Sequence, residues 1–343
     1  MARRPGMVAL AAAAGVSVAT VDRLLNGREA VSPVTKAAVL EAALRIGHPA
    51  AARLMGDGPG TTTAIRVGVL LHKQGQEFYQ NMAREFRTAV AQLPGVKAQL
   101  VLEFAASQAP SEVATLLRGM AGRCDVIAAT AVNHPEITAA VEELKSKGIP
   151  VFSLLSDFAQ GVRAGYIGLN NLKVGRTAAW MISLSAKSAG KVALFVGGAR
   201  WHGHDLRETG FRAHLREERP DLEVLETIVN LETRQLTYET TLNLLNRHAD
   251  LRGIFVAGGG MEGAIAALQK ARNPGEVAVV VNELTTESRD ALAKGWVTMV
   301  DATPLPDLCR EVLGLMQRVV RDKGIAGAGQ VFLPMQLHLA ESL

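Results

Sequence analysis

The segment AGVSVATVDRLLNG, residues 14–27, gathers Thr20, Asp22, Arg23 and Asn26 within seven positions. Guanidinium, amide and hydroxyl groups donate hydrogen bonds, so a cluster of them on one helix face suits an acceptor-rich, anionic partner. Val21, Leu24 and Leu25 fall at i, i+3 and i+4 and predict an apolar face. Val18, Ala19, Asp22, Arg23 and Asn26 fall largely on the other side. The charge balance agrees. Residues 1–60 hold seven Arg and Lys against four acids, whereas the whole chain carries only +4.

Other signals do not assemble a catalytic set. Gly258–Gly260 form a GGG run, but no Gly-Lys-Ser/Thr follows it, so close backbone approach is the simpler reading. The SAGK run, residues 188–191, has a Ser-x-x-Lys spacing without its companion motifs. His202 and His204 in RWHGHD lack carboxylate or cysteine partners at metal-binding spacing. Cys124 and Cys309 make no disulfide framework and suit a reducing compartment. No enzyme activity, metal or cofactor is implied.

The chain has 343 residues, which suggests two or three domains. It is 48% hydrophobic and 20% charged. That is the balance of a globular protein with a large core. No apolar run approaches the ~20 residues of a membrane span. Arg3 and Arg4 precede an apolar stretch, as in a signal peptide, but that stretch is mostly alanine and runs directly into a patterned segment. It reads instead as a helix from Met7 to Ala14, ended by Gly15. Ser17 is placed to cap the next helix. Ser32, with Pro33 behind it, is placed to cap a third. Val39, Ala42, Ala43 and Ile46 give that third helix its buried stripe, and Gly47 closes it. The alanines of the first helix serve as spacers for tight packing.

This head resembles the helix-turn-helix of the LacI family of transcriptional regulators over about forty residues, with Ala11, Gly15, Val21, Asn26, Val31, Ser32 and Thr35 matching. The resemblance implies that the second helix enters the major groove of double-stranded DNA, with Val18, Ala19 and Arg23 at base edges. Ser17, Thr20, Asn26, Ser32 and Thr35 would hold phosphates or cap helices. Asp22 departs from the serine usual there. It would repel phosphates unless it accepts from a cytosine amine or pairs with Arg23. The family continues into a hinge helix whose leucine wedges into the minor groove. Here the segment is HPAAARLMGDGPG, whose spacing departs from the family's: residues 51–55 are expected as a short helix with Leu54 or Met55 as the wedge, or else as a plain tether, and GDGPG follows as a linker.

From Ile65 onward, ten short apolar, β-rich runs alternate with helical stretches. They are IRVGVLL, QLVLEF, CDVIAAT, PVFSLL, YIGLN, KVALFVG, VLETIVN, GIFVAG, VAVVVNE and VTMVDA. Continuous apolar strands separated by helices predict parallel sheets covered on both faces, here as two doubly wound lobes. This part resembles the periplasmic sugar-binding protein fold of the ribose-binding type, which LacI regulators use as effector domain. The expected organisation is a small all-α helix-turn-helix domain at 1–48, a hinge at 49–63, and a periplasmic-binding-protein-like α/β domain at 64–343. Its first lobe would span about 64–157 and 303–324, and its second about 158–302 and 325–343. No leucine heptads follow the last predicted strand, so no tetramerising tail is expected.

In such folds the ligand lies in the crevice at the carboxyl ends of the strands. By matched position, the resemblance points to Gln76 and Phe78 after the first strand and Asp157 after the fourth. It adds Arg207 in DLRETGF, Glu283 ending VAVVVNE and Asp301 ending VTMVDA; Trp201, His202 and His204, on the loop before the DLRETGF helix, are placed for a rim contact. Carboxylates accept from hydroxyls, arginine donates to them, and an aromatic ring stacks on a sugar's C–H face.

The resemblance therefore implies a cytoplasmic homodimeric repressor. It would bind a near-palindromic operator under control of a small sugar or polyol, with no membrane partner. The alternative is a stand-alone solute receptor of a transport system, which would carry a signal peptide where this chain has a patterned three-helix unit.

Overall fold

The computed structural model describes residues 5–26, 31–55, 64–94, 96–322 and 329–343. The chain forms two compact units. The GDGPG linker and the side chain of Met55 lie outside the described residues.

The first unit holds four helices: α1 (Met7–Ala14), α2 (Val18–Asn26), α3 (Pro33–Arg45) and α4 (Ala50–Met55). Gly15 takes a left-handed conformation at φ 65° and stops α1. A glycine bears that conformation without steric cost. The chain then turns so that α1 and α2 are bent by 107°. That angle is within the range of a helix-turn-helix. Ser17 Oγ accepts from Thr20 N at 3.0 Å, and Ser32 Oγ accepts from Thr35 N at 3.2 Å. Pro33 opens α3, where its missing N–H costs nothing. The core is Leu10, Ala11, Val21, Leu25, Val39, Ala42, Ala43, Ala50 and Leu54. The small side chains let the helices approach closely. Arg45 Nη2 further ties α3 to Ala13 O at 2.6 Å.

The second unit begins as a strand–helix alternation. Its first lobe contains β1 (Ala64–His72), α5 (Glu77–Ala91), β2 (Lys97–Ala105), α6 (Pro110–Gly119), β3 (Val126–Ala129), α7 (Pro135–Ser146), β4 (Val151–Leu154) and β5 (Gly165–Leu169). The chain then builds a second lobe from α8 (Asn171–Ser185), β6 (Gly190–Val196), α9 (His202–Glu218), β7 (Leu222–Val224), β8 (Ile228–Val229), α10 (Arg234–Arg247), β9 (Leu251–Val256), α11 (Met261–Ala271), β10 (Ala278–Asn282), α12 (Thr286–Ala293) and β11 (Met299–Ala302). α13 (Leu305–Arg321) and β12 (Gly329–Leu333) return to the first lobe, and β13 (Gln336–His338) ends in the second.

The sheet orders are β12-β5-β4-β3-β1-β2 and β13-β11-β10-β9-β6-β7, with β8 beside β6. β13 runs antiparallel to β11, while β3, β4 and β5 pair in parallel. This corrects two expected lobe boundaries. The run YIGL is β5, bonded to β4 in the first sheet, so the first crossing comes after Leu169 and not at 157. β12 likewise joins β5, although 325–343 was expected wholly in the second lobe. A crossing between sheets leaves no local mark, because strands of either sheet are equally apolar.

Strands and the helix faces that cover them share the core. Phe86, Phe152, Phe158, Phe195, Phe211 and Phe255 are among its largest fully buried side chains. Between α8 and α9 the packing reaches backbone on backbone. A Cβ on Gly175 of α8 would lie 1.9 Å from Arg207 O, and one on Gly210 of α9 would lie 2.1 Å from Leu172 O. Only glycine permits that approach, and it presses the start of α9 against α8.

Candidate ligand cleft and nucleic-acid interface

In the head, α2 turns Val21 and Leu25 inward and leaves Val18, Ala19, Arg23 and Asn26 exposed. Asn26 Nδ2 donates to Asp22 Oδ1 at 2.7 Å, one turn apart. Arg23 Nε donates to Ala19 O at 3.3 Å. Ser17 and Ser32 act as caps, as their spacing predicted, and both remain at the surface. Leu54 corrects an expectation. It is only 6% exposed and belongs to the head's core, so it packs inward and does not stand out as a wedge. α4 forms over the predicted residues, but its apolar side chain seals the bundle.

In the second unit, a cleft with about 830 Å³ of empty space, open mouth included, lies at the carboxyl ends of the strands. Gln76, Phe78, Trp201, Arg207 and Glu283 all line it. Arg207, at the start of α9, is 8% exposed. It donates from Nε to Asn171 Oδ1 at 2.7 Å and from Nη1 to Ala257 O at 2.8 Å. Asn171 is itself braced, with Nδ2 donating to Leu155 O at 3.1 Å and to the Tyr166 hydroxyl at 3.2 Å.

Glu283 sits in the left-handed region at φ 70°. That conformation is costly for a residue with a side chain. Its carboxylate accepts from Thr303 N at 2.9 Å and Thr303 Oγ1 at 2.7 Å. Burial pushes its pKa above the usual carboxylate range. Asp301 lies behind the cleft wall. Asn282 Nδ2 donates to its Oδ1, and its Oδ2 has no hydrogen-bond partner among the described residues. Burial pushes its pKa up to about 7, with nearby Glu283 adding to the rise and Arg207 opposing it.

Like Asp301, Asp157 was expected in the cleft and does not line it. Its carboxylate is ion-paired to Arg163, whose Nη2 donates at 2.7 Å, and accepts from Ser153 Oγ at 2.8 Å and Gln330 Nε2 at 3.2 Å. Burial alone would raise its pKa, but these donors hold it below the ordinary value. It joins the loop after β4 to β12. Trp201 also differs from expectation. It is 5% exposed, packs within the first lobe's core cluster, and donates from Nε1 to Gln108 Oε1 at 3.0 Å, deeper than a rim contact.

The cleft also contains His204, from the same loop as Trp201, and residues that carried no expectation, among them Tyr79, Thr130, Asn171, Glu232 and Asn282. Asn171 and Asn282 had a signal, each standing at the end of an apolar run. His204 Nδ1 accepts from Gly197 N at 3.1 Å, and burial drives its pKa down to about 4. Glu232 had no signal at all. Among the described residues no group of histidine, cysteine and carboxylate side chains is arranged to hold a metal ion. None of the described helices is long and apolar enough to cross a membrane.

Residues 67–324 match the family model described as periplasmic binding protein domain. The chain belongs to that family. Ahead of its periplasmic-binding-protein domain, residues 7–48 match the model of bacterial regulatory proteins, lacI family, so the head is a LacI-type helix-turn-helix. A curated relative, the HTH-type transcriptional regulator MalR of Streptomyces coelicolor, is 29% identical over 163 residues. That match covers 46% of this chain and 44% of the relative, so the chain spans less than half of the relative's length.

Solved structures share the fold of this periplasmic-binding-protein domain. A solute-binding protein of an ABC transporter from Agrobacterium vitis, bound to alpha-D-tagatopyranose, is 20% identical with a TM-score of 0.73, covering 81% of this chain and 95% of that one. One from Burkholderia graminis, in complex with D-arabinose, is 19% identical with a TM-score of 0.74, covering 82% and 98%. The glucose-galactose binding protein GanP of Geobacillus stearothermophilus is 17% identical with a TM-score of 0.73, covering 82% and 99%.

Proposed function

We propose that the protein is a DNA-binding transcriptional regulator, a repressor, whose operator affinity responds to a small sugar or polyol held in the cleft. The observation that carries this reading is the union of a LacI-type head and a periplasmic-binding-protein domain in one chain. The head supplies an exposed α2 face with Arg23 and Asn26, in a bundle held by caps and small residues. A homodimer would pair two heads on a near-palindromic operator.

The cleft offers both donors and acceptors, as polyol hydroxyls require: the Arg207 guanidinium, the Glu283 and Glu232 carboxylates, and the Asn171 and Asn282 amides. Phe78 and Trp201 offer ring faces. Sugars held by proteins of the same fold support the ligand class. The effector acts by preferring one arrangement of the lobes, since equal affinity for both would shift nothing. A cytoplasmic location follows from a role on DNA.

The test is an electrophoretic mobility shift on genomic fragments, with and without a sugar and polyol panel selected by thermal shift. A specific complex that responds to one of the stabilising compounds is the expected result. Thermal stabilisation by a sugar, with no specific DNA complex at any salt concentration, would instead identify a solute receptor.

A further inference from the structure

Lys73, just past β1, belongs to the first lobe, whereas Glu232, just before α10, belongs to the second. Lys73 Nζ lies 3.0 Å from Glu232 Oε2, and both side chains are largely buried. Gln108 Nε2, also from the first lobe, donates to the same oxygen at 3.0 Å. Gln76 Nε2 donates to the Glu232 carbonyl oxygen at 3.2 Å. Glu232 is held from its own lobe as well. Gly259 N donates to Oε1 at 3.3 Å, and His204 Nε2 stands 3.8 Å from that oxygen. Gly197, Gly258 and Gly259 leave the space the side chain fills: a Cβ on any of them would come within 3.1 Å of it.

The backbone marks the same spot. Lys73 (φ 44°), Leu231 (φ 51°) and Glu232 (φ 54°) all adopt the left-handed conformation without being glycine. Such strain persists only where surrounding contacts over-determine it. At the other side of the mouth, Thr286 N and Oγ1 in the second lobe donate to Glu77 of the first, at 3.1 and 2.9 Å. All of these contacts are made by the chain's own residues.

We propose that Lys73, Gln108 and Glu232 form a clasp that sets the balance between closed and open lobes, and so the affinity of the cleft for its effector. The proposal rests on the reading of the cleft as an effector site. The fraction of molecules competent to admit or retain ligand scales the apparent affinity directly. A buried ion pair suits such a switch, because removing one partner leaves the other charge uncompensated and favours opening.

The test measures lobe separation in the full chain with no ligand added. Nitroxide labels go on Ser111→Cys in α6 and Lys270→Cys in α11, both exposed, and pulsed dipolar spectroscopy reads their distance. The unclasped comparators are Glu232→Gln and Lys73→Met. The clasp predicts one dominant distance in the parent and a second population that grows at least about five-fold in each variant, at the lower bound of ordinary coupling energies. It further predicts that the double variant opens little more than either single one. Gln108→Leu, a neutral change at the same oxygen, supplies the readout if a charge variant does not fold. Identical distributions in parent and folded variants would overturn the proposal and assign closure to packing around Trp201. A chain that bound no sugar would still give one result or the other, so the two readings fail separately.

Discussion

Arg207 Nε and Asn171 Oδ1 meet at 2.7 Å across the α8–α9 contact, so the guanidinium is fixed by a neutral amide. No carboxylate lies within ion-pairing distance of it among the described residues. A buried cation held by neutral partners keeps its remaining N–H donors for whatever enters the cleft.

Arg207→Ala should therefore abolish the response to effector. Charged hydrogen bonds contribute about 1.5–3 kcal/mol each, so ligand affinity should fall roughly 10- to 100-fold or more. Calorimetric titration checks this. DNA binding in the absence of ligand should be unaffected, and an unchanged ligand affinity would make Arg207 a purely structural residue.

Asp157→Asn should behave in the opposite way. Its loss unpairs the half-buried Arg163 and loosens the loop after β4 from β12. Such a change is in the range of about 3–5 kcal/mol. Denaturant unfolding should report the loss of stability. A ligand-induced thermal shift of parental size should remain.

Arg23→Ala should weaken specific DNA binding and relax preference at one base pair, by about 1–3 kcal/mol for a bidentate contact. A binding-site selection experiment reads this out. The same base preference before and after substitution would remove Arg23 from the readout.

Leu54→Ala should destabilise the head alone, by about 2–5 kcal/mol for a buried leucine. Amide exchange should show the head opening while the effector cleft keeps its ligand affinity. A variant that kept head protection but lost DNA bending would restore the wedge role.

Two buried groups give opposing pH dependences. Asp301 has a pKa of about 7 in the fold. Its unfolded value is about 3.9. Between those values the native state binds the extra proton, so its contribution to stability falls as pH rises. His204 has a pKa of about 4 in the fold. Its unfolded value is about 6.5. There the unfolded state binds the extra proton, so stability rises with pH. From about pH 4 to 6.5 the two nearly cancel. Asp301→Asn should remove one opposing slope, so that urea midpoints rise more steeply with pH across that window than in the parent, by up to about 1.4 kcal/mol per pH unit, with buried Glu283 still opposing. A profile no steeper than the parent's would count against a buried Asp301 that titrates near neutrality.

The parts of this molecule written as periodic pattern were legible in its sequence. Ser17, Ser32, Gly15 and Pro33 marked the head's helices because caps and stops are local chemistry. The apolar runs marked the strands because parallel strands buried on both faces are nearly continuous in composition. VLETIVN read as one strand but forms β7 and β8, since Glu226 and Thr227 interrupt its pairing. β12 and β13 escaped notice because they are short edges with exposed, mixed side chains. Asp157 read as a ligand group because it follows a strand end, the position of a true cleft residue, and only the third dimension brings Arg163 to it. Lys73 and Glu232 were invisible because left-handed loop residues far apart in sequence carry no periodicity.

The touching backbones of α8 and α9 have an evolutionary consequence. With Gly175 and Gly210 in place, the point from which the cation reaches into the pocket is set by main chain, indifferent to drift on the outer surfaces of both helices. Under the proposed function, changes in the opposite wall would alter which ligand is held, while this one anchor stays put.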